Sequence, residues 1–102
     1  MEKQVQFFNN KTVFNENLDI PDSPGIYKFY DSQNEILYIG KAKNIKKRVS
    51  SYLTVRKGEG KRIKKLKATI KFIETIITKT ESDALILEQG LISKIRPPFN
   101  VQ

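Results

Sequence analysis

Apolar and polar positions along this chain fall into short runs separated by turn chemistry. Gly25–Tyr30 and Ile36–Gly40 flank Asp31-Ser32-Gln33-Asn34, which predicts two strands joined by a hairpin loop. Pro21-Asp22-Ser23-Pro24 is a turn that launches the first strand. Asn44 is placed to cap a helix reaching about Leu53, with Ile45, Val49, Tyr52 and Leu53 on its inner side. Gly58-Glu59-Gly60 breaks the chain, and Lys61–Ile70 predicts a second helix with Ile63, Leu66 and Ile70 inward. Its Lys61, Lys64, Lys65 and Lys67 then point towards water. Phe72–Ile77 predicts a third strand, and Thr80 with Asp83 opens a helix that Pro97-Pro98 stops. Residues 1–20 fit either an extra hairpin, with Val5-Gln6-Phe7-Phe8 and Thr12-Val13-Phe14 around Asn9-Asn10, or an arm laying its aromatics on the core.

The last helix breaks its own pattern. At about 100° per residue, Ala84, Leu85, Leu91, Ile92 and Ile95 share one stripe, and Glu88 falls in the middle of it. A carboxylate aimed at a core is costly unless it is paired, protonated or bound to a metal. Glu88 is therefore either half of a buried ion pair or a functional carboxylate. Glu81, on the first turn, is accounted for by the helix dipole.

Composition narrows the chemistry. A chain of 102 residues makes one small domain, and no run approaches a membrane span. With no basic-then-apolar leader, a cytoplasmic location is expected. The absence of cysteine and histidine excludes disulfides, thiolate nucleophiles, Cys/His zinc sites and histidine bases. Catalysis is left to tyrosine, lysine, arginine, carboxylates and a hard metal ion. The net charge of +8 is concentrated: residues 41–79 hold fourteen basic and two acidic side chains. Such a block is the footprint of a polyanion-binding surface, with nucleic acid the default partner and a solvated lysine-rich face the plainer alternative.

Gly25-Ile26-Tyr27 and Tyr38-Ile39-Gly40 each set a tyrosine near a glycine in one of the two hairpin strands. Paired antiparallel, they bring both phenols to one surface where the glycines leave room for another backbone or a ligand. Lys41 follows directly and is positioned to lower a phenol pKa or hold a phosphate oxygen. Arg48 lies at the border of its helix's apolar face, either snorkelling or clamping a phosphate. Tyr27, Tyr38 and Tyr52 taken singly are half-buried aromatics, and Asn100 a turn residue.

Taken together, these residues resemble the GIY-YIG nuclease family, and within it the incision domains of the bacterial excision-repair UvrC type. The resemblance covers roughly Pro21 to Asn100 and rests on four segments. They are Pro24-Gly25-Ile26-Tyr27; Ile36 through Asn44 running on to Arg48-Val49-Ser50-Ser51-Tyr52; Glu81 through Glu88; and Leu91-Ile92 through Arg96-Pro97-Pro98-Phe99-Asn100. It implies a mixed α+β fold over residues 21–102, with a central three-stranded antiparallel sheet flanked by helices. It implies metal-dependent hydrolysis of a DNA phosphodiester. Glu88 would be the sole protein ligand of one divalent cation, Mg²⁺ or Mn²⁺. Arg48 would stabilise charge on the scissile phosphate, and Tyr27 or Tyr38 would be the general base, helped by Lys41. Tyr52 and Asn100 would position these groups. DNA contacts are expected from Lys43, Lys46, Lys47, Lys61, Arg62, Lys64, Lys65 and Lys67. The isolated domain is expected to be a monomer that receives DNA from UvrA- and UvrB-type partners, with no membrane involved. A shorter Cho-like repair nuclease, a homing or phage enzyme, or a non-catalytic basic binding module are the alternatives.

Overall fold

The computed structural model describes residues 11–100, and its core is an antiparallel sheet sandwiched between two sets of helices. The elements in chain order are β1 (Thr12–Val13), β2 (Gly25–Tyr30), β3 (Ile36–Ala42), α1 (Ile45–Ser50) with a 3-10 turn (Ser51–Leu53), α2 (Lys61–Thr69), β4 (Phe72–Ile77) and α3 (Glu81–Ile95). The sheet has four strands rather than three, in the order β1-β4-β2-β3. The added strand is the two-residue β1, which pairs Thr12 with Ile73 and Val13 with Phe72. Phe14, just past it, packs edge-on against Phe29 with ring centroids 5.2 Å apart. The Val5–Phe8 limb of the alternative hairpin lies outside the described residues.

Local chemistry explains the hairpin and the helix starts. The Asp31 carboxylate accepts from the N–H groups of Gln33 and Glu35, each at 2.9 Å, and Asn34 takes the left-handed conformation at φ 67°. Phe29 pairs with Tyr38 but Tyr30 with Ile36, so Leu37 is a bulge that adds local twist. Asn44 and Thr80 cap α1 and α3, accepting from Lys47 N–H at 3.0 Å and Asp83 N–H at 3.1 Å. Arg96 ends α3 in the left-handed region at φ 55°, and the following prolines turn the chain back over the sheet.

One sheet face, bearing Tyr27, Phe29, Ala42 and Ile73, packs on Ile45, Val49, Leu66 and Ile70. The opposite face, bearing Ile26, Ile39 and Ile76, packs on Ala84, Leu87, Leu91 and Ile92 of α3. The inner stripe of α3 thus runs through 84, 87, 88, 91 and 92. Leu85 and Ile95, expected inward, are exposed. Glu88 nevertheless lies within the stripe and is half-buried. In α2 the buried side is set by Leu66, with Ile70 just beyond its end, while Ile63 overhangs the core and is exposed. Lys67, expected in water, turns inward: its ammonium donates to Thr54 O at 2.7 Å and pairs with Glu59. Leu53 is likewise more exposed than its pattern predicts.

The two glycines serve the interior rather than a ligand. A Cβ on Gly25 would sit 2.2 Å from the Ile76 carbonyl oxygen and 2.5 Å from Ile45 Cδ1. A Cβ on Gly40 would sit 2.3 Å from the Tyr27 hydroxyl oxygen, because the Tyr27 ring folds across its cross-strand partner. The room expected for a ligand is filled by a neighbouring strand and by a phenol.

Candidate active site

The site forms where β3, the outermost strand, meets the start of α1 and the middle of α3. Antiparallel register sets Tyr27 opposite Gly40 and Phe29 opposite Tyr38, so both phenols fall on the α1 side of the sheet. Tyr27, Phe29, Tyr38 and Tyr52 form an aromatic cluster: the Tyr27 ring centroid is 6.1 Å from that of Tyr38 and 5.9 Å from that of Tyr52. The Tyr27 and Tyr52 hydroxyls share a hydrogen bond of 3.3 Å. Tyr27 is 1% exposed, whereas Tyr38 and Tyr52 are half-buried.

Burial, followed by the Tyr52 phenol, holds the Tyr27 hydroxyl protonated well above the usual tyrosine range. The Tyr38 phenol is raised for the same reasons, with the Glu88 charge adding to them. The positive charge acting on both phenols is Arg48, whose guanidinium lies against the Tyr27 hydroxyl and is itself held protonated by it. Of the two tasks expected of Lys41, tuning a phenol or holding a phosphate oxygen, the first is one that Arg48 performs. Lys41 faces the other way, towards α3, where its ammonium is 3.9 Å from Glu81 and its charge and backbone N–H both act on the Glu88 carboxylate. Burial raises Glu88 above the ordinary carboxylate range, and those two Lys41 groups oppose the rise.

The free edge of β3 is closed by the end of the chain. The Phe99 N–H donates to Leu37 O at 3.0 Å. The Asn100 side chain then bonds both outward groups of Ile39, accepting from its N–H at 2.8 Å and donating to its carbonyl at 2.9 Å. An edge strand normally leaves such groups open. Here a side-chain amide imitates a further strand at the residue between Tyr38 and Gly40.

Beside this cluster runs an open groove of about 800 Å³ lined by Lys41, Lys43, Lys47, Arg48 and Arg56, with Glu81 its one carboxylate. Five cations around a polar channel suit a phosphodiester backbone. Lys46 is exposed on α1 but does not line the groove. The α2 cations divide: Lys61, Arg62, Lys64 and Lys65 are exposed, Arg62 being engaged with Pro98 and Phe99 as well, whereas Lys67 pairs with Glu59. Sequence reasoning missed Arg56 and Ser51, which sit in the groove, and the cluster in which the Tyr30 hydroxyl donates to Glu74 at 2.8 Å. Arg56 lies in an irregular stretch with no periodicity to mark it.

The UvrC-like GIY-YIG domain family matches residues 23–101. The UvrABC system protein C of Helicobacter pylori (strain ATCC 700392 / 26695) is 42% identical over 90 residues, covering 81% of this chain and 15% of that protein. The protein of the same name from Acinetobacter baumannii (strain SDF) is 50% identical over 78 residues, covering 76% of this chain and 13% of that one. The chain therefore spans about 15% of the length of such relatives. Among solved structures, the GIY-YIG N-terminal endonuclease domain of UvrC from Thermotoga maritima, bound to its catalytic magnesium, matches with a TM-score of 0.70 and 36% identity. That match covers 80% of this chain and 88% of the other. On sequence and on fold, this chain belongs to the UvrC-like GIY-YIG family of endonuclease domains.

Proposed function

We propose that this domain makes a single-strand incision in DNA, acting as the nuclease module of UvrC-type excision repair in the cytoplasm. The observation that carries this reading is the groove lined by Lys41, Lys43, Lys47, Arg48 and Arg56 beside the tyrosine cluster, with the half-buried Glu88 carboxylate on the inner stripe of α3. Hydrolysing a phosphodiester needs an aligned water, a proton acceptor, and positive charge on the phosphoryl and leaving oxygens.

Glu88 suits a hydrated divalent cation. It is a half-buried hard-oxygen donor, and among the described residues no group of three or more acidic, histidine or cysteine side chains gathers to form a cage. One carboxylate with water completing the shell is the arrangement Mg²⁺ or Mn²⁺ accepts. When bound there, such an ion supplies positive charge to the phosphoryl and leaving oxygens. Arg48 presents its guanidinium to the scissile phosphate from the groove wall. Tyr38 is the phenol that meets the attacking water, because Tyr27 is fully buried with its hydroxyl engaged by Tyr52. Since burial keeps Tyr38 protonated, it can take the water's proton only after losing its own phenolic proton to solvent, a loss that the Arg48 charge favours. Asn100 ties down the β3 edge beneath these groups.

The groove offers phosphate contacts and no base-reading element, so lesion recognition falls to UvrA- and UvrB-type partners that deliver the DNA. The test is nicking of supercoiled plasmid with and without Mg²⁺ or Mn²⁺, by wild type and by Glu88→Gln. No ion pair within 4 Å ties Glu88 to a described cation. Glu88→Gln is therefore expected to unfold within about 1 kcal/mol of wild type while losing incision. A structural ion-pair role predicts instead a loss of about 3–5 kcal/mol. Metal-independent nicking, or nicking by Glu88→Gln, refutes the assignment.

A further inference from the structure

Arg62 looks from the sequence like one more phosphate contact on a lysine-rich helix, yet its side chain is engaged with the protein. Its guanidinium donates to the Pro98 carbonyl at 3.0 Å and lies 5.3 Å from the centre of the Phe99 ring. The turn it grips is the hook that closes the β3 edge. Pro97 is fully buried beneath it, Phe99 bonds Leu37, and Asn100 bonds Ile39 through both arms of its amide. Ile39 is flanked by Tyr38 and Gly40, and Lys41, two residues on, turns its N–H to Glu88. A continuous set of contacts therefore runs from α2, through Arg62 and the hook, to the strand that positions one phenol and one face of the carboxylate.

We infer that Arg62 is a positioning residue for the incision chemistry: it fastens the Pro97–Asn100 turn to α2, so that Asn100 holds the β3 edge carrying Tyr38 in register with Glu88. This rests on the nuclease reading above. A guanidinium suits the task because its rigid planar fork holds several donors in fixed directions while it lies over an aromatic face, whereas an ammonium is a point charge on a flexible stem.

The test is Arg62→Ala and Arg62→Lys in the 102-residue chain, read by two measurements. The first is amide hydrogen exchange at Ile39, whose N–H is bonded by Asn100 rather than by a neighbouring strand. In Arg62→Ala it is expected to accelerate about tenfold, the equivalent of one hydrogen bond with a cation–π contact. The second is plasmid nicking, where kcat is expected to fall by a similar factor while KM for DNA changes by less than about twofold. Arg62→Lys keeps the charge and loses the fork, and is expected to behave like Arg62→Ala on both measurements. A raised KM with kcat intact, restored by Arg62→Lys, would make Arg62 a phosphate contact and overturn the inference. So would unchanged Ile39 exchange in an enzyme that still nicks. A wild-type chain that leaves the plasmid intact with either metal overturns the nuclease reading, and the catalytic part of this inference with it.

Discussion

Replacing Gly40 with alanine probes the packing on which the tyrosine cluster depends. The new Cβ would lie 2.3–2.4 Å from Cζ, Oη and Cε1 of Tyr27, where ordinary contact begins at 3.4 Å. The ring must therefore retreat by about 1 Å. It has little room, being 1% exposed with its centroid 5.2 Å from that of Phe29 and 5.9 Å from that of Tyr52. Overpacking of this kind costs about 1–3 kcal/mol. A shift of the ring also breaks the Tyr27–Tyr52 hydrogen bond, for about 1 kcal/mol more. The sum, about 2–4 kcal/mol, corresponds to a fall in Tm of about 10–30 °C for a domain of this size. Thermal and urea unfolding followed by circular dichroism measure it. The clash has one cause, so its cost should vanish in a Tyr27→Ala background, and a double-mutant cycle isolates that coupling. A Gly40→Ala protein melting within a few degrees of wild type, or a cycle showing simple additivity, refutes the packing argument.

Three further outcomes follow from other parts of the molecule. Gly90→Ala in α3, where a Cβ meets nothing within 4 Å, should raise stability by about 0.5–1 kcal/mol in the same unfolding assays. Neutralising Lys47 and Arg56 together should weaken DNA binding irrespective of sequence and lower the log–log salt slope by about two, measured by fluorescence anisotropy. Tyr38→Phe should abolish nicking with Tm close to wild type, whereas Tyr27→Phe should lose about 1 kcal/mol of stability and retain part of the rate; equal losses of activity would remove the distinction drawn between the two phenols.

How much of the fold was legible depended on where the information lies. The hairpin, the Asn44 and Thr80 caps and the Pro97 stop are written in a few neighbouring residues, and the structure realises them locally. Strand β1 was legible only as one limb of a possible hairpin, Thr12-Val13-Phe14, because its actual partner, Phe72-Ile73, lies about sixty positions away and leaves no local signal. The face of α3 was misjudged for a different reason. Leu85, Ile86 and Leu87 are consecutive, so helical periodicity has several near-equal solutions, and the sheet's Ile26 and Ile39 choose the one containing Leu87. Glu88 survived that rotation because it lies only three positions from either end of the 85–91 stretch. Arg56 and Ser51 reach the groove from residues following or ending α1, where no spacing rule applies.

The basic block shows why a charge count misleads about contact. On α2, Lys61, Arg62, Lys64, Lys65 and Lys67 are equivalent as a sequence pattern. The fold separates them by what each can reach. Lys67 is one turn from the helix end and folds back on the Gly58–Gly60 loop, where the Glu59 hydrogen bond holds that carboxyl below its usual range. Arg62 is long and planar enough to stack on Phe99, so it joins the hook. A cation paired inside the protein, as Lys67 is with Glu59, is one fewer counterion released on binding DNA, and the salt slope falls by about 0.9 for it. The same accounting adds Arg56, which the pattern had not marked, to the groove beside the tyrosines. On the proposed reading, the charge that meets the scissile strand is assembled from the end of β3, α1 and the loop after it, while α2 divides its own between surface and scaffold.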